Sequence, residues 1–342
     1  MPMLPIQSTP WDNGATLFTL RNSHDMRVVI TDIGASLVSW FAPDRSGRMA
    51  DVLLGHADAA GYLQGTGFFG SIAGRWANRI KGARCNIDGQ EFELDANEGN
   101  NHLHGGFAGF HNQAWTAHVS PDSLRLSLLS PDGAGGFPGN LRIEVDYRLD
   151  DEGVLTIAYA AATDAPTPIN LTNHAYFNLS GGEADIRDHI LRLNADEFLA
   201  IDEQSIPVAH VPVAGSAFDF RTPAPMGARL AWPEEQLTLA KGFDHCYVVQ
   251  GQAGSLREAA SVYDPASGRE LKVATTERGL QLYTGNYLEG VVGRRAWHNQ
   301  DGVCLEAECF PNQINSEEAE SVILRPGKIY RQTTTYQMTV RR

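Results

Sequence analysis

Four stretches of this 342-residue chain concentrate side chains that could do chemistry. They are "GFFGSIAGRWANRIKG" (67–82), "NEGNNHLHGG" (97–106), "TPINLTNHAYFNLSGG" (167–182) and "CLEAECFPNQIN" (304–315). Smaller clusters surround Asp244 in "KGFDHCYVV" and Gln281 in "LQLYTGNY". Each mixes glycine, which lets a backbone approach a ligand closely, with Asn, Gln, Asp, Arg or His, which together donate and accept in many directions. A ligand rich in hydroxyls calls for that mixture, because every buried hydroxyl must keep a partner. Trp76, Phe177, Tyr283 and Phe310 lie nearby in sequence and could cover the apolar face of a sugar ring.

The same residues have plain structural readings. His174 sits among asparagines and is either a satisfied polar corner of the core or a group that grips a polar ligand and moves a proton. Arg79 could pair with a carboxylate inside a sheet, and Asp244 could be a turn residue. Glu306 stands between Leu305 and Ala307 in an apolar strand. Facing inward it must be paired or shifted toward neutrality, and facing outward it is unremarkable in function. A metal reading also exists: His102 and His104 share a face if "HLH" is extended, and His174 with Glu306 would complete a zinc set. Against it, the cysteines lack C-x-x-C spacing and Gly105–Gly106 bends the chain. No dinucleotide-binding, P-loop or G-x-S-x-G pattern occurs.

These residues need a scaffold, and the pattern is of strands. "LRIEVDYRL" places Leu141, Ile143, Val145, Tyr147 and Leu149 on one face and charged residues on the other, a half-buried strand. "VLTIAYAA" follows the turn signal "DDEG", which predicts an antiparallel hairpin. "SLRLSLLS", "IYRQTTTYQMTV", "MRVVITDIGASLVSWFAPD" and "CNIDGQEFEL" read likewise, the last with an Asp-Gly turn. Helical evidence is confined to "GHADAAGYLQG" and a turn or two near 225–241. No βαβ alternation and no repeat appears. The expectation is all-β: one large antiparallel β-sandwich spanning 1–342 as a single domain.

The formal net charge of -14 removes the basic stripe a nucleic-acid binder needs and disfavours anionic membranes. A neutral polar partner fits best. No apolar run approaches the ~18 residues of a membrane span. The N-terminus shows no secretory pattern, so a cytoplasmic location with reduced Cys85, Cys246, Cys304 and Cys309 is expected.

Taken in order, the motifs closely resemble the aldose 1-epimerase (galactose mutarotase) family. "GRWANRI" is similar to its Gly-Arg-x-x-Asn-Arg-Ile, "NHLHGG" to its Asn-x-Leu-His-Gly-Gly, and "LTNHAYFNLSG" is the most specific element. "SPDGAGGFPGNL", "GFDH", "YTGN", "CLEAECFPNQIN" and "ILRPGKIYRQTTTY" follow in the family order. The resemblance implies a β-sandwich of galactose-mutarotase-like type, no cofactor and no metal. It implies that His174 is the general acid and Glu306 the general base, with His104 sharing the hydrogen bond to the ring oxygen. It implies that Asn78, Arg79, Asp244 and Gln281 hold substrate hydroxyls.

Ring opening needs one group to donate to the ring oxygen while another takes the anomeric proton; reclosure on the other face returns both. At neutral pH an ordinary carboxylate is ready for the second role. An ordinary imidazole is partly protonated, and acidic neighbours could raise its pKa. Two positions depart from the family: Trp76, where a small aliphatic residue is common, and Asn312, where an Asp is usual. The implied substrate is a free aldose such as glucose or galactose, the protein being a monomer or homodimer. The alternative is a non-catalytic sugar-binding protein on the same fold.

Overall fold

The computed structural model describes residues 5–341. Two antiparallel sheets face one another. The larger has nine strands in the order Thr116–Val119, Leu124–Ser130, Leu141–Leu149, Val154–Thr163, Tyr330–Val340, Arg269–Thr275, Arg257–Tyr263, Ile190–Leu193 and Ala224–Pro225. The smaller has six: Tyr176–Phe177, Val303–Glu308, Gly279–Tyr283, Asp244–Val249, Ala195–Ile201 and Pro207–Pro212. A five-stranded sheet, Gln7–Pro10 through Met49–Asp51, closes one side. This is the all-β architecture that the alternation predicts.

The inward rows of the strands make the core. Leu141, Ile143, Val145, Tyr147 and Leu149 are buried, as are Leu280, Leu282, Leu305 and Ala307 from the six-stranded sheet. Polar atoms stitch the layers where apolar side chains cannot. The Tyr336 hydroxyl donates to the Leu305 carbonyl (3.2 Å) and Gln332 Nε2 to that of Ala307 (3.0 Å). Each bond satisfies a buried group that would otherwise be costly.

Turn chemistry follows the sequence. The "DDEG" hairpin pairs Leu149 with Leu155. In the hairpin Arg84–Ile87/Gln90–Glu93, Asp88 and Gly89 both take positive φ (54° and 85°), the two-residue turn whose twist suits flanking strands. The helices are short: Ala59–Gln64, capped by the Asp58 carboxylate accepting from the Gly61 N–H, then Met226–Leu230 and Glu235–Ala240. No helix among the described residues is long and apolar enough to cross a membrane.

Candidate active site

The central strands of the six-stranded sheet carry one face of the site. Register pairs Asp244 with Tyr283 and Tyr283 with Cys304; two residues along, Cys246 meets Gln281 and Gln281 meets Glu306. Side chains alternate along a strand. Asp244, Gln281, Tyr283 and Glu306 therefore point one way while Leu280, Leu282 and Leu305 point into the core. Glu306 thus faces the cleft and not the core, yet it is buried all the same, 2% exposed, and falls under the paired-or-shifted reading.

Loops supply the opposite wall. Short pairings tie His102–Leu103 to Arg79–Ile80 and Thr172–Asn173 to Ile72–Ala73, which brings His104 and His174 over the sheet. A cleft of about 740 Å³ opens between them, lined by all seven residues singled out above: Asn78, Arg79, His104, His174, Asp244, Gln281 and Glu306. That volume is ample for a monosaccharide. His174 Nε2 lies 3.6 Å from Glu306 Oε2, and the His104 ring stands edge-on to that of His174 at 5.3 Å between centroids.

The polar wall is pre-arranged. Gln281 Nε2 donates to Asp244 Oδ1 (2.7 Å), leaving Gln281 Oε1 without a partner. Asp244 Oδ2 sits 3.8 Å from Arg79 Nη1. Arg79 in turn grips Glu98 through two bonds of 2.6 and 2.7 Å, a planar fork that fixes its orientation. The Asn78 N–H donates to His104 Nδ1 (3.1 Å), so the neutral His104 ring carries its proton on Nε2. Asn312 explains itself structurally: it adopts a left-handed backbone (φ 58°), and its Oδ1 accepts the Lys81 N–H (3.0 Å) just past Arg79. Asn tolerates that conformation well.

Burial dominates the electrostatics. It lowers the pKa of His174 to about 4 and that of His104 well below the ordinary value, the neighbouring His174 adding to the latter. Acidic neighbours do not raise His174: desolvation of the imidazolium sets the direction of its shift. Burial also raises Glu306 well above the ordinary carboxyl range, with Glu308 and Asp244 pushing the same way. Asp244 is raised by burial and partly restrained by Arg79. Burial works against the charge of Arg79, but Asp244 and Glu98 outweigh it and hold it protonated.

Other readings are also corrected. Trp76 and Phe177 are fully buried in the core, and Phe310 packs beside Leu199 and Cys246 away from the cleft. Only Tyr283 of the four expected aromatics lines it, joined by Phe68, Tyr176 and Tyr287. The Tyr176/Phe177 exchange is a matter of phase: consecutive strand residues face opposite ways, so Tyr176 shares the face of His174. His102 leaves the supposed zinc set, its Nδ1 bonded to the Asp95 carbonyl (2.9 Å) and its ring against Phe137. His104, His174 and Glu306 do converge within 4.8 Å. A metal-ligating histidine ordinarily donates its other ring N–H outward. His104 Nδ1 instead accepts an N–H, which keeps the cleft-facing nitrogen protonated and unsuited to a cation. Glu98 and Glu308 were within reach of the sequence clusters, and the clue would have been the need of Arg79 and Asn78 for buried acceptors.

The family described as aldose 1-epimerase matches residues 16–337. A galactose mutarotase of Rattus norvegicus is 40% identical over 328 residues, 94% of each chain. An aldose 1-epimerase of Escherichia coli K12 is 39% identical over 327 residues, again 94% of each. The crystal structure of a galactose 1-epimerase from Lactobacillus acidophilus superposes with a TM-score of 0.88 at 29% identity, covering 99% of this chain and 100% of that one. The chain belongs to the aldose 1-epimerase family.

Proposed function

We propose that His174 and Glu306 are the acid and base of an aldose 1-epimerase reaction carried out in the 740 Å³ cleft. The protein is an isomerase that interconverts the α and β anomers of an aldose. The single observation that carries the assignment of roles is the 3.6 Å approach of His174 Nε2 to Glu306 Oε2 in one buried cleft. The ring oxygen and the anomeric hydroxyl are attached to the same carbon, so two groups this close can address both.

The protonation states support the roles. A neutral imidazole beside a protonated carboxyl holds the same single proton as an imidazolium beside a carboxylate. Substrate hydroxyls that hydrogen-bond the charged forms need only shift that proton across the pair. An imidazolium of depressed pKa is a strong donor to the ring oxygen, and a carboxylate of raised pKa is a strong acceptor for the anomeric proton. His104 Nε2–H adds a neutral donor beside the same oxygen. After the C1–O bond opens, rotation about C1–C2 and reclosure return both protons, so no redox partner enters the cycle. Asn78, Arg79, Asp244 and Gln281 orient the hydroxyls.

The substrate read from the cleft is a neutral monosaccharide. Among the described residues lining it, Arg79 is the one with a permanent positive charge, and Glu98 already occupies it. Glu98, Glu203 and Asp244 would repel a phosphorylated sugar. The whole chain serves as one catalytic unit, a reading supported by lining residues drawn from Thr66 to Glu306. The four cysteines are buried free thiols, which suits a reducing, cytoplasmic compartment.

Polarimetry of fresh α-glucose and α-galactose tests the assignment. Glu306→Gln should lower turnover by about 10²- to 10⁴-fold with sugar binding largely kept, and His174→Asn should do the same. Near-normal rates in either variant would reject that residue's role.

A further inference from the structure

The reaction described above uses Glu306, but a second carboxyl lies beside it without a role. Glu308 ends the same strand, Val303–Glu308, two residues on and therefore on the same face. It is 0% exposed. Its Oε1 accepts from Asn78 Nδ2 (2.8 Å), and its Oε2 has no partner. The strand that would cover it offers Gly279 at that register position, so no side chain from there intervenes. Asn78, held by Glu308 at one end, accepts the Arg79 N–H at its own oxygen (2.8 Å) and donates its backbone N–H to His104 Nδ1 (3.1 Å). Asn78 keeps a left-handed backbone (φ 64°), a conformation that needs such anchoring.

We propose that Glu308 is a positioning residue of the epimerase reaction. It shares a single negative charge with Glu306, which keeps Glu306 a strong base, and through Asn78 it holds His104 in the tautomer that presents Nε2–H to the sugar.

Two carboxyls on one strand face stand ~7 Å apart along the chain. Buried together they cannot both ionise at ordinary pH, and the pair titrates as a unit. Burial raises Glu308 well above the ordinary range, opposed by its bond from Asn78. The groups facing it complete the balance. Asp244 and Glu277 add negative charge from neighbouring elements, Arg79 subtracts from it, and the thiols of Cys246 and Cys309 are neutral neighbours whose own ionisation it opposes. Only Arg79 is cationic in that set, and it is shared with Asp244 and Glu98. An excess of carboxyls over cations is what keeps one proton on the pair and makes the other site basic.

The proposal rests on Glu306 being the base, and the experiment separates the two ideas. Full-length Glu308→Gln and Glu308→Ala are assayed by polarimetry with α-galactose from about pH 4 to about pH 9, with nitrogen NMR shifts of His104 reporting its tautomer. Removing the neighbouring charge should move the acid limb of kcat/KM down by about one pH unit in both variants. The weaker base should cost Glu308→Gln about 3- to 10-fold in kcat on the plateau, with KM little changed. The glutamine carbonyl can still accept from Asn78, so His104 should keep its Nε2–H form. Glu308→Ala should add a mixed tautomer and a further loss of about 10-fold. An acid limb that stays in place in Glu308→Gln overturns the proposal, even if the melting temperature falls, because a space-filling role would move only stability. An unchanged tautomer in Glu308→Ala overturns the Asn78 link. If Glu306→Gln is itself active, the base assignment fails first; if it is inactive and Glu308→Gln keeps the wild-type profile, only the present proposal fails.

Discussion

Strand Leu141–Leu149 and strand Val303–Glu308 both alternate apolar with charged side chains, yet the first turns its charges to water and the second turns them into a closed interior. On the first, Arg142 and Arg148 are exposed, while Glu144 and Asp146 meet Arg125 of the next strand at 3.4 and 2.9 Å. Such surface pairs are worth about 0–1 kcal/mol. On the second, Glu306 and Glu308 are 2% and 0% exposed and meet Asn78, His174, Asp244 and Gln281 instead of solvent. One period-two pattern therefore encodes a wet face or an active site. The neighbours across that face decide which, and a carboxylate kept in the dry position works against stability in exchange for basicity.

The largest expected effect comes from the histidines of the buried polar regions. His102, His111, His174 and His189 are pushed down to about 4, and His245 to about 3, all chiefly by burial. In the unfolded chain they bind protons below about pH 6.5. Their contribution is therefore complete above about pH 6.5 and is lost as pH falls toward the folded values. Each is worth about 3–5 kcal/mol at the limit, and a domain holds only about 5–15 kcal/mol in total. Urea titrations should show the midpoint falling from about pH 6.5 and the fold gone before about pH 4. A midpoint flat across that window would contradict the buried-imidazole account.

Next in size, Ile143→Ala on the core side of the first strand should cost about 2–5 kcal/mol by urea unfolding, through lost burial and a cavity. Mutarotation per folded molecule should be unchanged, and a large drop in specific activity would mean the two strands are coupled. Glu306→Gln should do the reverse, losing turnover while gaining about 1–2 kcal/mol near neutral pH. The sign follows from linkage. An unfolded glutamate ionises above about pH 4.3 while the folded one keeps its proton, so wild-type stability falls as pH rises and the glutamine variant escapes that fall. A stability difference that shrinks with rising pH would refute the raised proton affinity. Smallest of all, Glu144→Gln should change stability by less than about 0.5 kcal/mol and activity not at all. A measurable rate defect there would break the contrast between the strands.

Much of the scaffold was legible locally. Alternation predicts the strand Leu141–Leu149 and its inward row, and "DDEG" and Asp88–Gly89 predict hairpins that form. The aromatic wall was not legible, because Tyr176 and Phe177 differ only in which face of a two-residue strand meets the cleft. Trp76 looked available to a sugar because it adjoins Asn78 and Arg79 in sequence, but the adjoining loop turns it fully inward. The zinc-like quartet dissolved for a similar reason: "HLH" leaves both rings on one face only if it stays extended, and His104 takes a left-handed backbone (φ 49°).

The chain alone determined the all-β scaffold, its turns and the kinds of polar side chain available, because strand periodicity and turn chemistry are properties of a few consecutive residues. Tertiary structure decided that His174 and Glu306 come within 3.6 Å, that His104 carries its proton on Nε2, and that the acid is held low and the base high. Those outcomes depend on desolvation and on neighbours distant in sequence, and no local pattern reports how much water a side chain loses when the sheets close.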